Sequence, residues 1–129
     1  MMTHNPVGWF EIPVTNMDRA VAFYEAVFQI TLERHEMGEL EMAWFPSFHE
    51  GIGAMGSLVR HKDFYFPSDT QGPLLYFTAF SGDLAIELDR VKQAGGNILT
   101  PKKQISPDHG YMGLFLDSEG NRIALHSRG

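Results

Sequence analysis

Glu11 is the side chain whose setting most invites chemistry. It stands inside the run Gly8-Trp9-Phe10-Glu11-Ile12-Pro13-Val14, and in an extended strand it shares a face with Trp9, because successive side chains alternate. A carboxylate enclosed by aromatic rings loses hydration, and its proton affinity rises toward the range of a general acid or base. The structural alternative is a hydrogen bond to a neighbouring strand or an ion pair with Arg122. His126, on the Arg122–Ala124 face of the last apolar run, is the second candidate, suited to polarising a carbonyl.

Other chemistries find less support. The six histidines, His4, His35, His49, His61, His109 and His126, form no H-x-H or H-x-x-x-H pair, so no local zinc signature is present. Glu33 and His35 share a strand face that reads as polar and outward. Cysteine is absent, which removes disulfides, thiolate nucleophiles and zinc–thiolate sites and suits a reducing compartment. No Gly-x-Ser-x-Gly elbow supports hydrolase chemistry. Gly51-Ile52-Gly53-Ala54-Met55-Gly56 spells G-x-G-x-x-G, but a dinucleotide site needs a helix to follow, and Ser57-Leu58-Val59 is strand-like. Glu39 with Glu41, and Asp117 with Glu119, read as carboxylates of solvated turns or edges.

Composition sets the outer limits. The chain has 129 residues, 43% hydrophobic and 12% aromatic, enough for one domain with a real core. Ten Lys and Arg against sixteen Asp and Glu leave a formal charge of −6, which argues against nucleic acid or an anionic membrane as partner. No apolar run reaches membrane-spanning length, and Met1 to Pro6 carries no apolar leader segment. A soluble, cytoplasmic, single domain over residues 1–129 is the expectation.

The elements that must position Glu11 and His126 follow from periodicity. Residues 8–14 read as a strand; Thr15 and Asn16 offer caps to a helix carrying Met17, Ala20, Val21, Tyr24, Val27 and Phe28 on one stripe. Strands are expected at Leu40–Phe45 and Ser57–Val59, with Phe64–Asp69 as the turn-rich linker. The order then restarts. Leu74–Phe80 reads as a strand, and Gly82-Asp83 opens a helix that Gly95-Gly96 closes. Asn97–Leu99 forms a short strand ended by Pro101, and Met112–Leu116 with Arg122–His126 form a hairpin.

A shift of roughly 67 residues superimposes the halves, with Phe10 on Phe77, Met17 on Leu84, Val21 on Leu88 and Leu32 on Leu99. The fold class expected is therefore α+β: two βαβββ modules, about 7–66 and about 74–127, forming a curved mixed-sheet cup with helices outside. Trp9, Trp44 and Tyr76 would line that cup, with Glu11 as its carboxylate. Ser106-Pro107-Asp108 followed by His109-Gly110-Tyr111 reads as a loop at its mouth, a surface connection or a lid.

Four segments carry a resemblance to a known family. Phe10-Glu11-Ile12-Pro13-Val14, the run Asp18-Arg19-Ala20 to Phe23-Tyr24, Ala94-Gly95-Gly96, and Asp117-Ser118-Glu119-Gly120-Asn121-Arg122-Ile123-Ala124-Leu125-His126-Ser127 resemble the vicinal-oxygen-chelate superfamily. This group holds glyoxalase I, bleomycin-resistance proteins and extradiol dioxygenases, and the resemblance spans residues 7–127. It implies metal ligands on the first and last strand of each module, facing the cup. Those places fall here near Trp9, near Leu75 or Tyr76, within Met55 to Val59, and at Ala124. The usual His, Gln or Glu is missing from all of them.

The expected function is accordingly a small-molecule binding protein for an apolar or aromatic ligand, without metal or other cofactor. Its ligand-binding residues would be Trp9, Glu11, Trp44, Tyr76, His109, Tyr111, Arg122 and His126. The alternative is an enzyme of the same superfamily, a lyase, isomerase or dioxygenase. It would use a divalent metal at a shifted site near His61, Tyr76, His109 and His126, or Glu11 as general base with His126 or Tyr76 polarising a carbonyl. By family analogy a homodimer is expected, with Phe64, Tyr65 and Phe66 at its contact.

Overall fold

The structure, a computed structural model, describes residues 5–48 and 52–129. His4, His49 and Gly51 lie outside these residues.

Two four-stranded sheets are each built from one βαβββ repeat. The first comprises β1 (Trp9–Pro13), α1 (Met17–Phe28), β2 (Glu33–Met37), β3 (Leu40–Trp44) and β4 (Met55–Arg60). The second comprises β5 (Leu75–Thr78), α2 (Leu84–Ala94), β6 (Asn97–Ser106), β7 (Gly110–Leu116) and β8 (Arg122–Ser127). Strand orders are β1-β4-β3-β2 and β5-β8-β7-β6. In each sheet the first strand pairs parallel with the last and the remaining pairs are antiparallel. The duplication expected from the sequence is thus present as two sheets of one topology.

Both helices start where capping chemistry places them. Asn16 is the N-cap of α1, its side chain accepting from the Arg19 N–H at 3.0 Å. Asp83 does the same for α2 through Ala85 N–H at 3.0 Å. The apolar stripes of the two helices meet in one core. Phe23 of α1 lies 5.9 Å from Phe115 of β7, and Phe77 of β5 lies 5.9 Å from Tyr24 and 5.0 Å from Phe28, between ring centroids. Phe10 of β1 meets Phe77 at 5.7 Å. Each such ring, fully buried, contributes about 1.5–3 kcal/mol of transfer free energy. Within β4, Gly56 has a packing reason: a Cβ there would sit 2.4 Å from the Phe10 ring. The strand that follows the glycine string, in place of a helix, leaves no helix N-terminus for a pyrophosphate.

Two expectations are corrected. The strand after α2 does not stop at Pro101 but runs from Asn97 to Ser106, with register shifts between Ile98 and Thr100 and between Thr100 and Lys103. This strand is the sheet edge, where a missing N–H leaves no ladder bond unmade. Asp117 and Glu119 are not solvated either. Asp117 is buried, accepting from the Tyr24 hydroxyl at 2.6 Å and from backbone N–H groups of Glu119 and Asn121. The Glu119 side chain has no exposed surface and accepts from Thr15 N–H, Asn16 N–H and the Arg19 guanidinium. The turn between β7 and β8 therefore holds the start of α1 from the other repeat.

Candidate functional site

Glu11 projects from the face of β1 turned away from α1, whereas Ile12 on the opposite face is buried in the core. Its side chain is exposed but not free. The Tyr65 hydroxyl donates to Oε1 at 2.6 Å and the Trp9 indole N–H donates to Oε2 at 3.2 Å. The hydrogen bond to Glu11 comes first in raising the Tyr65 phenol above its usual proton affinity, with burial and the carboxylate's charge adding to it. The partner sought in the sequence, Arg122, forms no ion pair with Glu11.

A groove of about 420 Å³ opens beside β1. Trp9 and Glu11 line one wall, Phe66 and Ser68 to Leu74 of the inter-repeat segment with Leu75 of β5 another, and Asn121 with Arg122 and Ile123 of β8 closes it. Of the expected ligand-binding residues, Trp9, Glu11 and Arg122 meet here. Trp44 stands behind Trp9, edge to face at 5.7 Å, and its ring centroid lies 3.9 Å from that of His35, the planes tilted by 34°. The inter-repeat segment was read in the sequence as a linker, and its part in the wall was missed. Only its turn-forming composition, Pro67 to Pro73, signalled a chain that must double back.

The other expected site residues lie elsewhere. Tyr76 is on the open face of the second sheet, 54% exposed, and makes no ring contact with either tryptophan among the described residues. His126 shares that face, paired in register with Thr78 and Met112. Its Nε2 lies 2.6 Å from the carbonyl oxygen of His109. The groove is not lined by His126, so it does not bring the two proposed proton-transfer residues together. Tyr111 alternates onto the helix-facing side of β7, packs against the core, and carries the Lys102 ammonium 4.5 Å above its ring. His109 is fixed in the turn between β6 and β7, its N–H donating to Ser106 O at 3.3 Å and its Nδ1 2.8 Å from Ser106 Oγ. The connection between the two strands is thus the short turn Pro107 to His109, closed by these bonds.

The parallel registers show what the repeats place at matching points. Trp9 pairs with Met55 in the first sheet, and Tyr76 pairs with Ala124 in the second. These are the first-strand and last-strand positions where the resemblance implies metal ligands. An indole N–H only donates, alanine has no donor atom, a thioether is soft, and a single phenol remains. That set does not fit a hard divalent cation, which asks for several oxygen or imidazole ligands. Among the described residues no three His, Asp or Glu side chains converge to form another such site, at His61, His109 or His126 or elsewhere.

Two βαβββ repeats, each pairing its first strand parallel with its last, define a class of fold. A family model confirms the class, and the chain belongs to the Glyoxalase/Bleomycin resistance protein/Dioxygenase superfamily, matched over residues 7–125. A search of curated proteins finds no match. Among solved structures, a glyoxylase/bleomycin resistance protein/dioxygenase domain from Frankia sp. EAN1pec is 16% identical, with TM-score 0.74, covering 98% of this chain and 100% of that one. An E144Q mutant of glyoxalase I from Zea mays is 17% identical with TM-score 0.74, covering 95% of this chain and 47% of that one. This chain thus spans about half the maize enzyme. TnmS3, an antibiotic binding protein from Streptomyces sp. CB03234, is 22% identical with TM-score 0.63, and both chains are covered completely at 100%. At these identities the likeness is one of fold.

Proposed function

We propose that this chain is a small-molecule binding protein that takes an apolar or aromatic guest beside β1 without a resident metal. The observation that carries the reading is the quartet Trp9, Met55, Tyr76 and Ala124 at the register-paired positions. Trp9, Met55 and Ala124 bring no oxygen or imidazole ligand where chelating side chains would be needed; Ala124 is buried, Trp9 and Met55 present exposed apolar surface, and of these Trp9 lines the groove. The likeness to TnmS3, an antibiotic binding protein, agrees with this use of the fold. The lack of cysteine suits a cytoplasmic setting, and no helix among the described residues is long and apolar enough to cross a membrane.

A second reading, an enzyme of the same superfamily with Glu11 as general base, draws on the Tyr65 hydrogen bond that orients its carboxylate. The readings part experimentally. Protein purified without added metal should carry no stoichiometric Fe, Ni, Zn or Mn by elemental analysis, and its crystal structure should hold organic guests in the groove. A tightly held equivalent of metal on three or more side chains would overturn the binding reading. Turnover of any bound compound that Glu11→Gln abolishes while binding persists would establish the enzyme in its place.

A further inference from the structure

We infer that Glu11 reads charge, selecting guests that carry a protonated amine or amidine on an aromatic or apolar body. This rests on the binding reading above and adds the class of ligand. Elsewhere on the molecule Asp18, Glu33, Glu39, Glu41, Asp83 and Glu119 each face an arginine, lysine or histidine nitrogen. Glu11 and Asp69, which both line the groove, face none among the described residues, and of the two Glu11 is the one on β1 beside the Trp9 ring.

Its two hydrogen bonds come from neutral donors, a phenol and an indole, one to each oxygen. They fix the carboxylate in place and leave its negative charge intact. An ionised carboxylate has about four acceptor sites, so two remain for a guest. An ammonium or amidinium would meet them as a charge-assisted hydrogen bond. The Trp9 ring beside it, 39% exposed, supplies a face for cation–π attraction. A neutral guest that strips water from Glu11 returns no opposite charge and at most a hydrogen bond from a neutral donor, which penalises it. Arg122 lines the same groove without pairing with Glu11. Its guanidinium repels a cation from that end and so orients the guest, charged end at Glu11.

The test uses one ring system in three charge states: tryptamine, indole-3-ethanol and indole-3-propionate, titrated calorimetrically into the full chain. Tryptamine should bind about tenfold more tightly than indole-3-ethanol, the return on one charge-assisted hydrogen bond. Glu11→Gln should erase that difference, and Tyr65→Phe should reduce it. Asp89→Asn removes the same charge from an exposed site on α2 and should leave the preference in place, which separates local recognition from the general field. Equal binding of all three compounds, tightest binding of the propionate, or a preference that survives Glu11→Gln would each overturn the inference while the groove reading stands. Binding of none of the three would overturn the groove reading itself.

Discussion

Glu119 carries its charge in an enclosed place because its neighbours favour the anion. Burial opposes ionisation, yet the Arg19 bond and the Asn16 and Thr15 donors outweigh it and bring its pKa to about 2. A carboxyl whose folded pKa lies below its unfolded value stabilises the fold above the unfolded pKa, near 4.5 here, and that stability is lost as pH falls toward 2. Glu119→Gln should therefore lower stability at pH 7 by about 1–3 kcal/mol, through weaker bonds to Thr15, Asn16 and Arg19. It should also flatten the decline between pH 4.5 and 2, measured by urea unfolding at each pH. The same turn was misread in the sequence as solvated. Asp-Ser-Glu-Gly-Asn has the composition of any exposed turn, and its partner at Thr15 lies 104 residues away, beyond any local pattern. The place of Glu11 beside Trp9 was legible because strand alternation is local, whereas its bond to the Tyr65 phenol follows from a chain path that no spacing encodes.

The helices and most strands were readable because caps and periodicity are local properties of a few adjacent residues. Asn16 and Asp83 begin their helices as the sequence indicated, and the glycines after Ala94 end the second. Gly96 has a further task that local reading misses. A Cβ there would lie 2.3 Å from the Leu116 carbonyl oxygen and 2.7 Å from the Phe23 ring. Backbone cannot yield cheaply, so Gly96→Ala should destabilise by about 1–3 kcal/mol. The urea midpoint should fall with an unchanged slope. The long edge strand β6 was cut short at Pro101 because proline ordinarily ends a strand, and only knowledge that the strand is an edge permits it to continue. The inter-repeat segment is the harder case. Its sequence announces turns, but which sheet it lies against depends on how two repeats pack.

At the scale of the whole molecule, the repeats share one core on the helix side and leave Trp9 and Tyr76 on exposed open faces. Phe64 and Phe66, which flank the Glu11 partner Tyr65, are 69% and 67% exposed. An apolar display of this kind is what subunit contacts cover. The expectation of a homodimer follows: sedimentation at micromolar concentration should give twice the 14.6 kDa chain mass, and Phe64→Ser with Phe66→Ser should return it to monomer. Monomer alone in the parent protein would refute the pairing. The duplication itself was legible from recurring order, whereas the shape of the cavity was not, since it arises from side chains of different repeats meeting at a seam.

The insertion of Phe77 among Tyr24, Phe28 and Phe45 has an evolutionary corollary. An ancestral half-length chain would have had to find that ring in a twin molecule. In the joined chain each repeat draws part of its interior from the other, Phe77 of the second entering the first and Phe23 of the first meeting Phe115 of the second. Excising either half today should yield a chain that cannot stand alone, however complete its strands and helix look on paper.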